Sequence, residues 1–214
     1  MPAYFDMTMV FERRNLYPDL VKDLYNYLDN TEFHFAGDAF EDADRDSIIA
    51  WNQRKLEEDF ELGDEEDGHH DYKQVFFSHE SFDYIRGFWM NRYPKNDLFV
   101  FTIIIPEKEI IFYDPAGAED SYYKEKIEIL RETATYLWEH MRLQSIQTGL
   151  EFSDASASLE ELRAGRLEMN PFAVIPKELT RFLPMSEYTE WSIGNDGVVL
   201  RDRGVRFWKN DAKM

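Results

Sequence analysis

The feature that most constrains this fold is the run from Leu98 to Ile105, apolar apart from Thr102 and β-branched toward its end. Turn-forming residues bound it: Lys95-Asn96-Asp97 before, Pro106-Glu107-Lys108-Glu109 after. It is far too short to span a bilayer. Alternate positions on both of its faces are apolar, which predicts a central strand buried on both sides.

Other elements follow from periodicity. Ala3 to Phe11 reads as a first strand. Leu16, Leu20, Leu24 and Leu28 recur at helical spacing, with Pro18 placed in the first turn. Ile48, Ile49, Trp51, Leu56 and Phe60 suggest a second helix, and Tyr72 to Ser78 a strand. Phe82, Ile85, Phe88 and Trp89 fit one helical face, so a helix is expected there, ended by Pro94. Ile110 to Tyr113 is expected to return on Leu98–Ile105 as a hairpin. Ile127, Leu130, Ala134, Leu137, Trp138 and Met141 form the stripe of a long helix from about Ser121 to Arg142. Ser145 to Phe152 reads as a strand, and Ser158-Leu159-Glu160-Glu161 as a capping box that Gly165 can close. Phe172 to Ile175 is a short strand, Pro176 to Leu183 a helical turn, and Tyr188–Ile193 with Val198–Trp208 a terminal hairpin. The expectation is a single α+β domain: a mixed, largely antiparallel sheet, about three substantial helices and an acidic loop insertion.

That insertion carries most of the charge. Residues 29–71 hold sixteen acids against Arg45, Arg54 and Lys55, in a chain of formal net charge −19. Such a chain is repelled by nucleic acid and anionic membranes and attracts cationic proteins. The C-terminus reverses sign: Arg201, Arg203, Arg206, Lys209 and Lys213 face only Asp202 and Asp211. Intramolecular pairing of this patch with 29–71 is the favoured reading over an anion site. The chain has no cysteine, which excludes disulfides, thiol catalysis and thiolate metal sites and suits a cytoplasmic location. The N-terminus has no basic region ahead of an apolar run and does not read as a signal peptide.

The catalytic motifs are missing: no nucleophile elbow, no Walker loop, no dinucleotide glycine fingerprint. The stretch Asp64-Glu65-Glu66-Asp67-Gly68-His69-His70-Asp71 fails the calcium-loop pattern. With Gly68 at the glycine position, Gly63 and Gln74 stand where the first acid and the bidentate glutamate belong. His79 and Asp83 could share a helix face as a partial zinc motif, but the pattern lacks its second histidine. His34, between two phenylalanines, reads as a half-buried packing residue. His140 reads as a residue favoured at a helix C-terminus. The aromatics from Phe76 to Tyr93 lack the interleaved bases that single-stranded nucleic acid needs, so they read as core.

The acidic α+β character resembles, in composition alone, that of bacterial immunity and antitoxin proteins. The first expectation is therefore a non-catalytic inhibitor or immunity-type protein that neutralises a basic protein partner, such as a toxin, without a cofactor. Glu57, Glu58, Asp59, Glu61, Asp64, Glu65, Glu66 and Asp67 would form its contact surface, with Trp51 and Phe60 as nearby apolar anchors. The alternatives are a metal-assisted hydrolase using Asp64, Asp67, His69, His70 or His79, and an oligomeric scaffold.

Overall fold

A computed structural model describes residues 3–38, 43–60, 71–91, 97–114, 121–150, 157–167 and 169–208. In chain order the elements are β1 (Tyr4–Glu12), α1 (Leu20–Asp29), β2 (His34–Asp38), α2 (Arg45–Glu57), β3 (Val75–His79), β4 (Phe82–Met90), β5 (Leu98–Pro106), α3 (Glu107–Ile110), β6 (Ile111–Phe112), β7 (Ser121–Tyr122), α4 (Lys124–His140), β8 (Ser145–Leu150), α5 (Leu159–Arg163), β9 (Phe172–Pro176), β10 (Tyr188–Ile193) and β11 (Gly197–Asp202). Nine of these strands make one sheet, in the order β10-β11-β9-β8-β1-β5-β4-β3-β2. Every pairing in it is antiparallel, in line with the largely antiparallel sheet expected. The fold is α+β, with α1, α2 and α4 as its substantial helices.

The strand β5 lies inside the sheet between β1 and β4, and Leu98 to Ile105 are all buried, as the apolar run predicts. Its pairing with β1 runs from Tyr4↔Pro106 to Glu12↔Leu98 without a break. Alternation then sorts the side chains. Phe5, Met7, Met9 and Phe11 join Phe99, Phe101, Ile103 and Ile105 in the main core under the helices. The opposite face carries Thr8 and Thr102, whose hydroxyls meet at 3.0 Å. Farther along the sheet the two faces feed two cores. Phe172, Val174 and Val199 belong to the main one. Ala173, Ile175, Val198 and Leu200 belong to a second one, closed by Leu162 of α5 and Leu179 of a short 3-10 turn.

The helical stripes hold. Helix α1 buries Leu20, Val21, Leu24, Tyr25 and Leu28. It begins at Leu20, so Pro18 sits in the turn ahead of it. Helix α4 buries Ile127, Leu130, Ala134, Leu137 and Trp138 in the same core as β5. Its C-terminal end reaches the β10–β11 turn, where Trp138 Nε1 donates to Asp196 at 3.3 Å. A Cβ on Gly197 would stand 2.2 Å from that indole nitrogen, so glycine is what lets turn and helix approach. The capping box at α5 forms as expected: Ser158 accepts from the Glu161 amide while Glu161 accepts from the Ser158 amide.

Three expectations fail for physical reasons. Phe82–Met90 is a strand, not a helix. Ile85, Gly87 and Trp89 alternate inward; the i, i+4 spacing of Ile85 and Trp89 fits either period, whereas Phe88 falls on the opposite face of the strand. A Cβ on Gly87 would come within 2.5 Å of the Phe101 ring and 2.8 Å of the Phe77 ring; these two rings meet edge to face across it. The segment at Ile110 does not return on β5. Glu107–Ile110 forms a helical turn, and β6 pairs with β7 instead. His34 is not a packing residue. It lies on the edge strand β2, exposed, with Nδ1 2.7 Å from Asp29 Oδ1. The loop expected at 114–117 and the helix end at Pro94 lie largely outside the described residues.

Candidate partner-binding surface

The three helices form one layer over the sheet, with α1 between α2 and α4. Arg45 at the start of α2 donates to Asn26 of α1 at 3.0 Å, and Asn30 beyond α1 donates to Tyr136 of α4 at 3.1 Å. Gln53 of α2 bonds both the Val21 amide and the Tyr17 carbonyl. These contacts set the polar faces of α1 and α2 side by side. Asp19, Asp44 and Asp46 are exposed, as are Glu57, Glu58 and Asp59. Exposed Tyr17 donates to Asp23 at 2.9 Å.

Of the eight acids expected to make contact, Glu57, Glu58 and Asp59 are described, and all are exposed. Glu61, Asp64, Glu65, Glu66 and Asp67 lie outside the described residues, as does the loop expected from Leu62 to Asp71 apart from Asp71 itself. The described residues on either side of that segment are held by α2. On one side, the Phe60 amide donates to the Lys55 carbonyl at 3.1 Å, and the Phe60 carbonyl accepts from Asn91 at 2.6 Å. On the other, Trp51 Nε1 donates to the Asp71 carbonyl at 2.8 Å. The fully buried Asn52 side chain bonds the Lys73 amide at 2.8 Å and its carbonyl at 3.0 Å, as a neighbouring strand would. Phe60 and Tyr72 pack edge to face, 5.8 Å between ring centroids.

The acids at this helix end oppose the helix dipole. A helix C-terminus carries partial negative charge and favours cations. Here Glu57 and Glu58 occupy it, with Asp59 next in sequence. Local contacts offset the repulsion. Glu57 accepts from Gln53 at 2.8 Å, and Glu58 sits 3.8 Å from Arg54. Asp59, at a left-handed φ of 54°, pairs with Arg13 at 2.7 Å.

The two expected anchors serve the protein's own packing. Trp51 is half-buried, with the Arg54, Lys55 and Lys73 cations 4.7, 5.3 and 5.2 Å from its ring. Phe60 packs edge to face on Tyr72 and lies 4.0 Å from the Lys55 ammonium. Sequence reasoning did not find the aromatic group at the α1–α4 seam. There Tyr136 stacks on His140 at 4.0 Å, and Tyr27 lies 5.3 Å from the same imidazole. The signal was the i, i+4 spacing of Tyr136 and His140.

The histidine-acid geometry differs from the expected partial zinc motif. His79 ends β3, and Glu80-Ser81 turn into β4, so His79 and Asp83 share no helix face. His79 Nδ1 accepts from the Ser81 amide at 3.0 Å, which places the proton on Nε2, 4.0 Å from Glu32 Oε2. Phe33 and Phe82 flank the ring, and burial pulls its pKa below the ordinary value. Asp64, Asp67, His69 and His70 lie outside the described residues. Among the described residues, no three His, Asp or Glu side chains are arranged to hold a metal. His140 ends α4 as expected, with Nδ1 2.7 Å from the Tyr136 carbonyl.

Arg201 of the basic C-terminal patch turns to α4. Arg201 lies 4.0 Å from Glu128 and against the Trp191 and Phe207 rings. Arg203 donates to the Tyr188 carbonyl. Lys209 and Lys213 lie outside the described residues. No helix among the described residues is long and apolar enough to cross a membrane.

No protein-family model matches this chain, and a search of curated proteins finds no match.

Proposed function

We propose that this chain is a non-catalytic binding protein of the inhibitor or immunity type, acting in the cytoplasm, whose acidic α1–α2 face docks a basic protein partner. The observation that carries the reading is the placement of Glu57, Glu58 and Asp59, exposed at the negative end of α2. Acids there cost helix stability, so solubility alone would be better served by acids elsewhere. Their placement is accounted for if the charge is used against a partner. The acids of α1 add to the same negative charge. Such a field steers a cationic protein and speeds its encounter. Contact would then occlude the partner's basic site.

The test is the association kinetics of the protein encoded next to this one, measured at two ionic strengths against the parent and against Glu57→Lys with Glu58→Lys. The reading expects fast association with the parent, slowing as salt rises, and a marked loss of on-rate in the double variant. Equal on-rates for both proteins at both salts would overturn it.

A further inference from the structure

Among the described residues the nine-stranded sheet ends at β2 and at β10, and the two edges are built differently. The β2 edge carries a bulge between Phe35 and Gly37, with Gly37 at φ 142°, an irregularity that discourages another strand from pairing there. The β10 edge, Tyr188–Ile193, runs in unbroken register with β11, from Tyr188↔Asp202 to Ile193↔Gly197. It holds no proline and no lysine, and its Tyr, Thr, Trp and Ile residues favour an extended chain. Trp191 near its centre is 38% exposed. An edge in this state is a template for a further strand.

The register decides which backbone groups face outward. The Arg203 amide donates to the Glu187 carbonyl at 3.0 Å, and the same two-residue step makes Thr189, Trp191 and Ile193 the residues that bond β11. On the other flank of β11 the Asp202 amide turns to the Pro171 carbonyl, in keeping with this alternation. The amides and carbonyls of Glu190 and Ser192 therefore point away from the sheet, with no partner among the described residues. The Tyr188 carbonyl also points outward, but it accepts from Arg203 Nε at 2.8 Å. Side chains alternate as well. Trp191 shares a face with Arg201, whose guanidinium lies 4.9 Å from its ring, and Glu190 and Ser192 lie on the opposite face. There Lys177 Nζ meets Ser192 Oγ at 3.4 Å. Glu190 is exposed and has no ion partner among the described residues.

We propose that β10 pairs antiparallel with β10 of a second copy of this chain, across a two-fold axis at Trp191, joining two sheets into one. Two-fold symmetry leaves few registers to choose from. Centring on Glu190 sets two carboxylates face to face and needs the Tyr188 carbonyl that Arg203 holds. Centring on Thr189 needs that carbonyl too. Centring on Ser192 brings Glu190 opposite Gly194, which has a left-handed φ of 52° and lies beyond the end of the strand. Centring on Trp191 meets none of these obstacles. Glu190 and Ser192 of each copy then exchange amide-to-carbonyl bonds, and the two indoles form a close, non-hydrogen-bonded pair with Cα atoms about 4.5 Å apart. Glu190 also comes opposite Ser192 of the second copy, beside the Lys177 ammonium that this serine meets. The second copy thus supplies the cation that Glu190 lacks, and this charge match selects the same chain as the occupant. The β10 edge lies at the far end of the sheet from β2, where α2 packs, so the inference is independent of the acidic face.

Sedimentation equilibrium of the full chain, from micromolar to millimolar concentration, is the test. The parent should pass from one copy to two as concentration rises. Glu190→Lys sets lysine against Lys177 of the other copy, and Lys177→Glu sets glutamate against its Glu190. Both positions are exposed, so each variant should keep the fold and weaken the dimer by about tenfold or more. An equal mixture of the two variants restores both charge matches and should recover the parent's dimer as a mixed pair. Misfolded chains could not produce that recovery. Trp191→Thr, which keeps strand propensity, should also weaken the parent dimer. A parent that stays a single copy at every concentration, a dimer indifferent to both charge changes, or a mixture of folded variants that stays monomeric would each overturn the proposal.

Discussion

Arg13, one residue beyond β1, joins three parts of the fold at its guanidinium: it pairs with Asp59 at 2.7 Å, donates to the Leu56 carbonyl at 2.7 Å and donates to Asn91 Oδ1. The Leu56 contact satisfies one of the carbonyls that every helix C-terminus leaves open. The Asp59 carboxylate is half-exposed, at 49%, so its share is screened by solvent. Arg13→Met should therefore cost about 1–2 kcal/mol through the carbonyl contact. Asp59→Asn, which keeps an amide-bearing side chain suited to positive φ, should cost less than about 1 kcal/mol. Urea denaturation of the two variants checks the order. A larger loss from Asp59→Asn would show that the ion pair, not the cap, holds this end of α2.

Charge reversal at Glu57 and Glu58 separates stability from binding. Lysines at a helix C-terminus gain about 0.3–1 kcal/mol each from the dipole. Loss of the exposed Arg54–Glu58 pair, 3.8 Å long, removes about 0.3–0.5 kcal/mol. The double variant should melt at or above the parent temperature while binding the partner more slowly. A lower melting temperature by calorimetry would mean that these acids serve the fold.

Gly87→Ala gives opposite signs for the two readings of residues 82–90. In an exposed helix, alanine would stabilise by about 1 kcal/mol. In β4 the new methyl falls within 2.5 Å of the Phe101 ring and should cost about 1–3 kcal/mol. The denaturation midpoint decides.

His79 should impose a pH dependence. Burial holds its imidazole below the ordinary value of 6.5, against the raising effects of Glu32 and Glu80 and with a further lowering from His34. Between the folded value and 6.5 the unfolded chain binds more protons, so stability rises with pH across that window. The contribution is present above 6.5 and is lost as pH falls through the folded value. His79→Asn, whose side-chain oxygen can still accept from the Ser81 amide, should flatten that part of the profile. An unchanged slope from chemical denaturation across the window would assign the dependence to other groups.

The comparison of sequence with structure turns on the range of the forces involved. The helices α1 and α4, the capping box at Ser158 and the buried strand β5 were legible because each is decided within a few residues, by periodicity, by a cap or by unbroken apolarity. The acidic character of the candidate surface was legible for the same reason, since charge is read residue by residue. Pairing and position were not. Ile85 and Trp89, four apart, satisfy two periods at once, and only the rings of Phe77 on one neighbouring strand and Phe101 on the other decide for β4. Ile111 pairs with Tyr122 and not with β5 because β1 and β4 already occupy both sides of β5. Arg201 turns to Glu128 because β11 runs beside α4, whatever the charge of residues 29–71. The adverse dipole at Glu57, and the approach of Lys177 to Ser192 at the sheet edge, likewise belong to tertiary structure alone. They join residues whose energies depend on where distant segments are brought together, a quantity that local sequence does not contain.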